Sequence, residues 1–218
     1  MQRRKFKLED YNKKAPSKDA TKYFIIYEGA VKEPNYFEAF NKTFLDVKTA
    51  YIHHILENDT DVFGNTPLKL KERAESFIKT PPTGVKVTPS IDDKFRFVLD
   101  VDKHPLEHIN ELKEFCDNLN DANLFISNFC FEVWLWAHIE DLNKITSTKS
   151  SQMKSELGRK HNGNYPHCFM GKKLIDKAIQ RCKNVDVAHY FPNEKCSKVY
   201  LLIEELLSHS FLNIEVEL

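Results

Sequence analysis

No apolar run in this sequence approaches the roughly 18 to 20 residues that a membrane-spanning helix needs, so no such helix is expected. The basic start, MQRRKFKLED, has no apolar segment behind it, and a secretory signal is not expected either. Five cysteines form no CxxC pair. An odd, scattered set points to reduced thiols in the cytoplasm rather than to zinc or a disulfide framework. A glycine-rich loop of the Walker type is missing, which excludes ATP binding of that kind. Excess charge is missing too: 32 basic residues balance 32 acidic ones. A grip on nucleic acid by global charge alone is therefore disfavoured.

The charge that is present is unevenly spread. Residues 1–22 carry eight Lys/Arg and three acids, and residues 144–200 carry twelve and four, so the centre is acidic. Two basic flanks around an acidic centre suit a metal site that also holds a polyanion; two solvated surfaces explain the pattern as well.

At 218 residues, 41% of them hydrophobic, the chain can bury a sizeable core. Residues 1–21 are polar and lysine-rich and read as a flexible basic arm. Residues 22–143 alternate short apolar runs with amphipathic stretches. Strands are expected at 23–27, 50–57, 94–99 and 122–127, and helices over 34–44, 67–80, 105–119 and 130–142. Strand–helix alternation implies crossovers, hence an α/β fold with a mainly parallel sheet flanked by helices. From 144 to 218 a helical segment packed on the core is expected, with helices at 171–183 and 195–208. The closing FLNIEVEL alternates like an edge strand or a docking tail.

Acids stand where the apolar runs end. Glu28 follows YFIIY, Asp100 and Asp102 follow FRFVL, and Glu132 comes shortly after ANLFIS. In open α/β sheets functional groups gather beyond the carboxyl ends of the strands. Crowded carboxylates repel one another, and a hard divalent cation relieves that repulsion. Spaced i, i+2, Asp100 and Asp102 project to one side of an extended segment. Gly29 permits a tight turn and close approach of a substrate. Acids at strand ends also cap helices or simply face solvent. Other groups are better read as structural. His53 and His54, adjacent on a strand, point to opposite faces, and Trp134 and Trp136 fit a buried helix.

Three stretches together, YFIIYEGAVKEPNYFEAF, FVLDVDKH and ISNFCFEVWLWAH, resemble the RloB-like proteins of bacterial defence loci, which carry a Toprim-type fold. The first family motif runs close to EGxxTEPxYF; Glu28, Gly29, Glu33, Pro34, Tyr36 and Phe37 match, with Lys32 at the Thr position. Asp100 and Asp102 match the acid-x-acid motif, with His104 nearby. Ser127, Asn128, Phe131, Glu132, Trp134 and Leu135 match SNPxFExWL, with Phe129 at the proline position. The resemblance covers roughly residues 22–208.

The resemblance implies a Toprim-like core and a Mg²⁺- or Mn²⁺-dependent nuclease that cuts DNA or RNA as an anti-phage effector. It also implies a partner ATPase of the ABC or AAA type. Glu28, Asp100 and Asp102 would hold the metal, Glu28 doubling as general acid or base. His104 or Lys103 would contact a phosphate or steady the leaving group. Glu132 would be a fourth acid, or else would bond to Asn128 or to a backbone group. Lys32, Lys103, Lys172 and Lys173 are the lysines expected at a phosphate backbone, though a solvated helix start accounts for Lys172 and Lys173 equally. Two rivals stand beside this reading. One is a non-catalytic subunit of an ATPase complex. The other is a phosphatase or nucleotidyl transferase; a dehalogenase-type phosphatase would need Thr or Val where His104 stands.

Overall fold

The computed structural model describes residues 16–82, 89, 93–101, 104–161, 167–192 and 195–210. The fold is mixed α/β. Strands β1 (Thr21–Tyr27), β2 (Ala50–Ile55), β3 (Lys94–Asp100) and β4 (Ala122–Asn128) are parallel, and β5 (Cys196–Ser197) runs antiparallel to β4. The sheet order is β2-β1-β3-β4-β5. Helices α1 (Lys32–Phe44), α2 (Pro67–Lys79), α3 (Leu106–Asn118), α4 (Glu132–Ala137), α5 (Ser150–His161), α6 (Lys172–Lys183) and α7 (Val199–Leu207) cover it.

Both faces of the sheet are covered, which is why its strands read as unbroken apolar runs rather than as alternations. Tyr23, Ile25 and Tyr27 join a core with residues of α1, α4, α5, α6 and α7. Phe24 and Ile26 join a second core with Leu70, Phe77, Ile109 and Leu112 of α2 and α3. His53 and His54 divide in the same way: His53 lies against Phe24 and Phe77, while His54 lies against Tyr27 and 3.2 Å from Glu38. Helix α2 starts on Thr66, whose hydroxyl accepts the Lys69 N–H at 3.3 Å, with Pro67 first in the helix.

Four features differ from the sequence expectation. Residues 16–21 are not a free arm: the Ser17 N–H donates to the Val47 carbonyl, Ala20 is buried, and Thr21 opens β1. Helix α4 ends at Ala137 rather than near 142. The chain closes with a turn in which the Leu135 and Trp136 carbonyls accept backbone N–H groups of His138, Ile139 and Glu140, while His138 Nδ1–H donates to the Trp134 carbonyl at 3.0 Å and Arg181 to that of Ala137 at 2.7 Å. Helix α5 was not foreseen; it buries Met153 and Leu157 in an otherwise polar sequence. The stretch 195–208 is not one helix: Cys196–Ser197 add a strand to the sheet before α7 begins. The FLNIEVEL tail and residues 1–15 lie outside the described residues.

The Asn128–Phe129 peptide is cis. Cys116, Cys130, Cys182 and Cys196 are buried, Cys168 is exposed, and all five are free thiols. Among the described residues, no helix is long and apolar enough to cross a membrane.

Candidate active site

Strands β1 and β3 are parallel neighbours, with Tyr27 opposite Val98 in register. Their carboxyl ends therefore deliver Glu28 and Asp100 to the same rim. A Glu28 oxygen accepts the backbone N–H of Asp100 at 2.9 Å, and the Glu28 N–H donates to the Val98 carbonyl at 3.0 Å. The first turn of α1 brings Lys32 and Glu33 to this rim, and the start of α4 brings Glu132. Glu28, Glu33, Asp100 and Glu132 line one hollow of about 350 Å³, with Lys32, Lys154 and Asn65 at its walls.

Glu33, Asp100 and Glu132 are buried. Burial pushes the Asp100 carboxyl well above the usual carboxylate range, and the negative charges of Glu33, Glu28 and Glu132 push it further. Lys154 opposes that rise. Glu33 is pushed up to about 7, chiefly by burial and then by Glu132 and Glu28. Two side chains stand against the acids. Lys32 is ion-paired with Glu132. His104 Nε2 stands 3.1 Å from a Glu28 oxygen, close enough for an ion pair but without hydrogen-bond alignment.

The donor set suits a hard divalent cation, since it consists of carboxylate oxygens whose mutual repulsion a cation relieves. Among the described residues, no three His, Cys, Asp or Glu side chains already stand in a coordinating arrangement. Asp102 and Lys103 of the expected set lie outside the described residues.

The expected lysines divide. Lys32 borders the hollow and holds Glu132. Lys172 and Lys173 do not border it: they begin α6, where Lys172 pairs with Asp176 and Lys173 is exposed. Helix α6 packs on α4 and contributes no residue to the hollow's lining. A larger hollow of about 510 Å³ on residues 146–159 has one acid, Glu156, which accepts a hydrogen bond from Ser147.

Two site residues escape an inspection confined to strand ends. Glu33 sits inside the EGxxxE stretch, and its place in the first turn of α1 was the available signal. Lys154 had none, because it comes from α5. Gly29 has a role beyond the one expected. A Cβ there would fall 1.9 Å from a Glu33 carboxylate oxygen, so the glycine makes room for that acid.

A family model described as RloB-like protein matches residues 23–206. No curated protein and no solved structure matches the chain. The match spans β1 to α7 and includes every strand and helix that frames the acidic hollow, so this chain belongs to the RloB-like protein family.

Proposed function

We propose that the chain is a divalent-metal-dependent nuclease. The observation that supports it best is the meeting of Glu28 and Asp100 at the ends of adjacent parallel strands, with Glu33 and Glu132 in the same hollow. Glu28 and Asp100 would hold Mg²⁺ or Mn²⁺, with Asp102 as the third acid of the family motif. A metal in such a site supplies Lewis acidity toward a phosphodiester and lowers the pKa of water. The residues of the chain supply the rest. Lys154 and Lys32 set positive charge at the walls, where a phosphate would enter. His104, against Glu28, is placed to move a proton at that carboxylate. Asp100, held by its backbone N–H to Glu28, keeps the two acids in fixed relation. The accompanying proposal, an anti-phage effector acting with a partner ATPase, rests on family membership.

A second reading, a non-catalytic subunit of an ATPase complex, draws on the internal pairing of the acids: Glu132 is held by Lys32 and Glu28 is flanked by His104. One experiment separates the two. Purified protein, with and without the neighbouring ATPase, is incubated with Mg²⁺ or Mn²⁺ and with plasmid DNA or total RNA. Metal-dependent cleavage that disappears in Glu28→Gln and Asp100→Asn supports the nuclease. Equal cleavage in those variants, or none in any protein while the complex still forms, overturns it.

A further inference from the structure

We infer that the loop of residues 57–65, beside the acidic hollow, is a nucleobase subsite that takes one unpaired base of a single-stranded nucleic acid. The inference rests on the nuclease reading and names its substrate class.

A second, smaller hollow of about 100 Å³ lies between the end of β1 and this loop, and it shares Gly29, Ala30 and Asn65 with the acidic one. A ligand with one part at the acids therefore has its next part here. Arg73 lies on its wall, yet both terminal nitrogens of its guanidinium are committed to the protein. It donates to the carbonyls of Tyr27 at 3.3 Å and Gly64 at 2.6 Å and to Asn65 Oδ1 at 3.3 Å, and Glu57 stands 3.6 Å away. A phosphate would meet the Glu57 carboxylate and a guanidinium whose one unpartnered N–H, at Nε, is buried out of reach. A neutral ligand meets better partners: the side-chain amide of Asn58 has no hydrogen-bond partner among the described residues, and Leu56 and Ala30 supply apolar wall. The volume is below the roughly 150 Å³ that encloses a benzene molecule, so it suits the edge of one flat heterocycle. Base edges carry the mixed donors and acceptors that amides read.

The loop also presents an aromatic ring. Phe63 is 67% exposed, so its ring faces open space. The backbone beside it is braced: the Gly64 N–H donates to Glu57 at 2.9 Å, its carbonyl takes Arg73, and its φ of +100° is one that glycine adopts freely. A ring held out on a braced loop is the stacking platform that readers of single strands use. Paired bases cannot reach such a ring, so the substrate presents unpaired nucleotides.

The test uses the full chain in EDTA, so that binding is measured without cleavage. Fluorescence anisotropy compares oligo-U, an abasic oligonucleotide of equal length, and a duplex. The wild type is expected to bind oligo-U about tenfold tighter than the abasic strand or the duplex. In Phe63→Ala and Asn58→Ala, whose side chains are exposed and whose melting should not change, that difference collapses. Equal affinity for oligo-U and the abasic strand, an unchanged difference in both variants, or no binding at all overturns the subsite. Metal-dependent cleavage with base-blind binding sinks the subsite alone. Base-dependent binding with no cleavage under any condition sinks the nuclease reading alone.

Discussion

Glu28 follows β1 and Asp100 ends β3, and the carboxylate of Glu28 accepts the backbone N–H of Asp100 at 2.9 Å. The contact joins side chain to main chain, so the two carboxylates do not neutralise each other. Glu33 and Glu132 add their charge to the same hollow.

Asp100→Asn tests the consequence. The amide has the same shape and cannot ionise, so it relieves a crowded set whose negative charges help to raise the Asp100 pKa. Without metal the variant should be more stable than wild type by about 1 kcal/mol at pH 7. Millimolar Mg²⁺ or Mn²⁺ should raise the wild-type melting temperature, by about 2.7 kcal/mol of stability at a hundredfold excess over Kd. The variant should lose that response. A less stable variant that still responds to metal would refute the assignment; calorimetry with and without EDTA reads both.

Gly29→Ala places a Cβ 1.9 Å from a Glu33 oxygen. Overpacking of this kind costs about 1 to 3 kcal/mol. The cost should shrink once Glu33 is truncated, so the double-mutant cycle with Glu33→Ala should show a coupling above about 0.5 kcal/mol. Additive denaturation midpoints would mean that the glycine serves something other than space for the acid.

How much of this could be foreseen follows from where each signal lies. The four parallel strands were legible because burial on both faces turns each into a short apolar run between turns. Glu28 and Asp100 were legible because they end two of those runs. Helix α5 was not, because two buried residues, Met153 and Leu157, leave little periodicity to read. Strand β5, two residues long, is below any period, and its pairing with Ser127 and Asn128 is purely tertiary. The last carbonyl of α4, that of Ala137, is satisfied by Arg181, 44 residues away, a partner no local pattern announces. Glu33 and Lys154 reach the hollow from helices, where an acid or lysine ordinarily reads as a solvated face.

Arg96 is 1% exposed in β3 and ties three elements together. It donates to Glu205 of α7 at 2.8 Å and to the Asp121 side chain at 2.8 Å, and it lies over the Tyr23 ring. Arg96→Met should cost about 2 to 4 kcal/mol, because it removes the forked partner of two partly solvated carboxylates and leaves them only Lys94. Arg96→Lys should recover less than half of that, since an ammonium cannot reproduce the fork. Urea denaturation measures both, and a loss under about 1 kcal/mol in Arg96→Met would show the network to be dispensable.

The pH dependence of stability should carry a term from His138. This ring is buried, donates through Nδ1 to the Trp134 carbonyl, and accepts the Tyr36 hydroxyl proton at Nε2, 3.2 Å away. Burial lowers its pKa to about 3, and the nearby Arg181 charge adds to the effect. His53, lowered to about 4 by burial and by His54, behaves alike. Above about pH 6.5 each is neutral whether folded or unfolded and contributes nothing to the pH slope. Below that, the unfolded chain takes up a proton that the folded ring refuses. Stability then falls by up to about 1.4 kcal/mol per pH unit per histidine until the folded pKa is reached. Glu33 and Asp100 act in the opposite sense, because their raised pKa values make the folded state the better proton binder as pH falls. The wild-type slope is therefore a difference, and the comparison with His138→Gln isolates one contribution. Between pH 6.5 and 4 the variant should lose about one proton's worth of slope while being less stable at neutral pH. Parallel stability curves for the two proteins would mean that His138 is protonated in the fold.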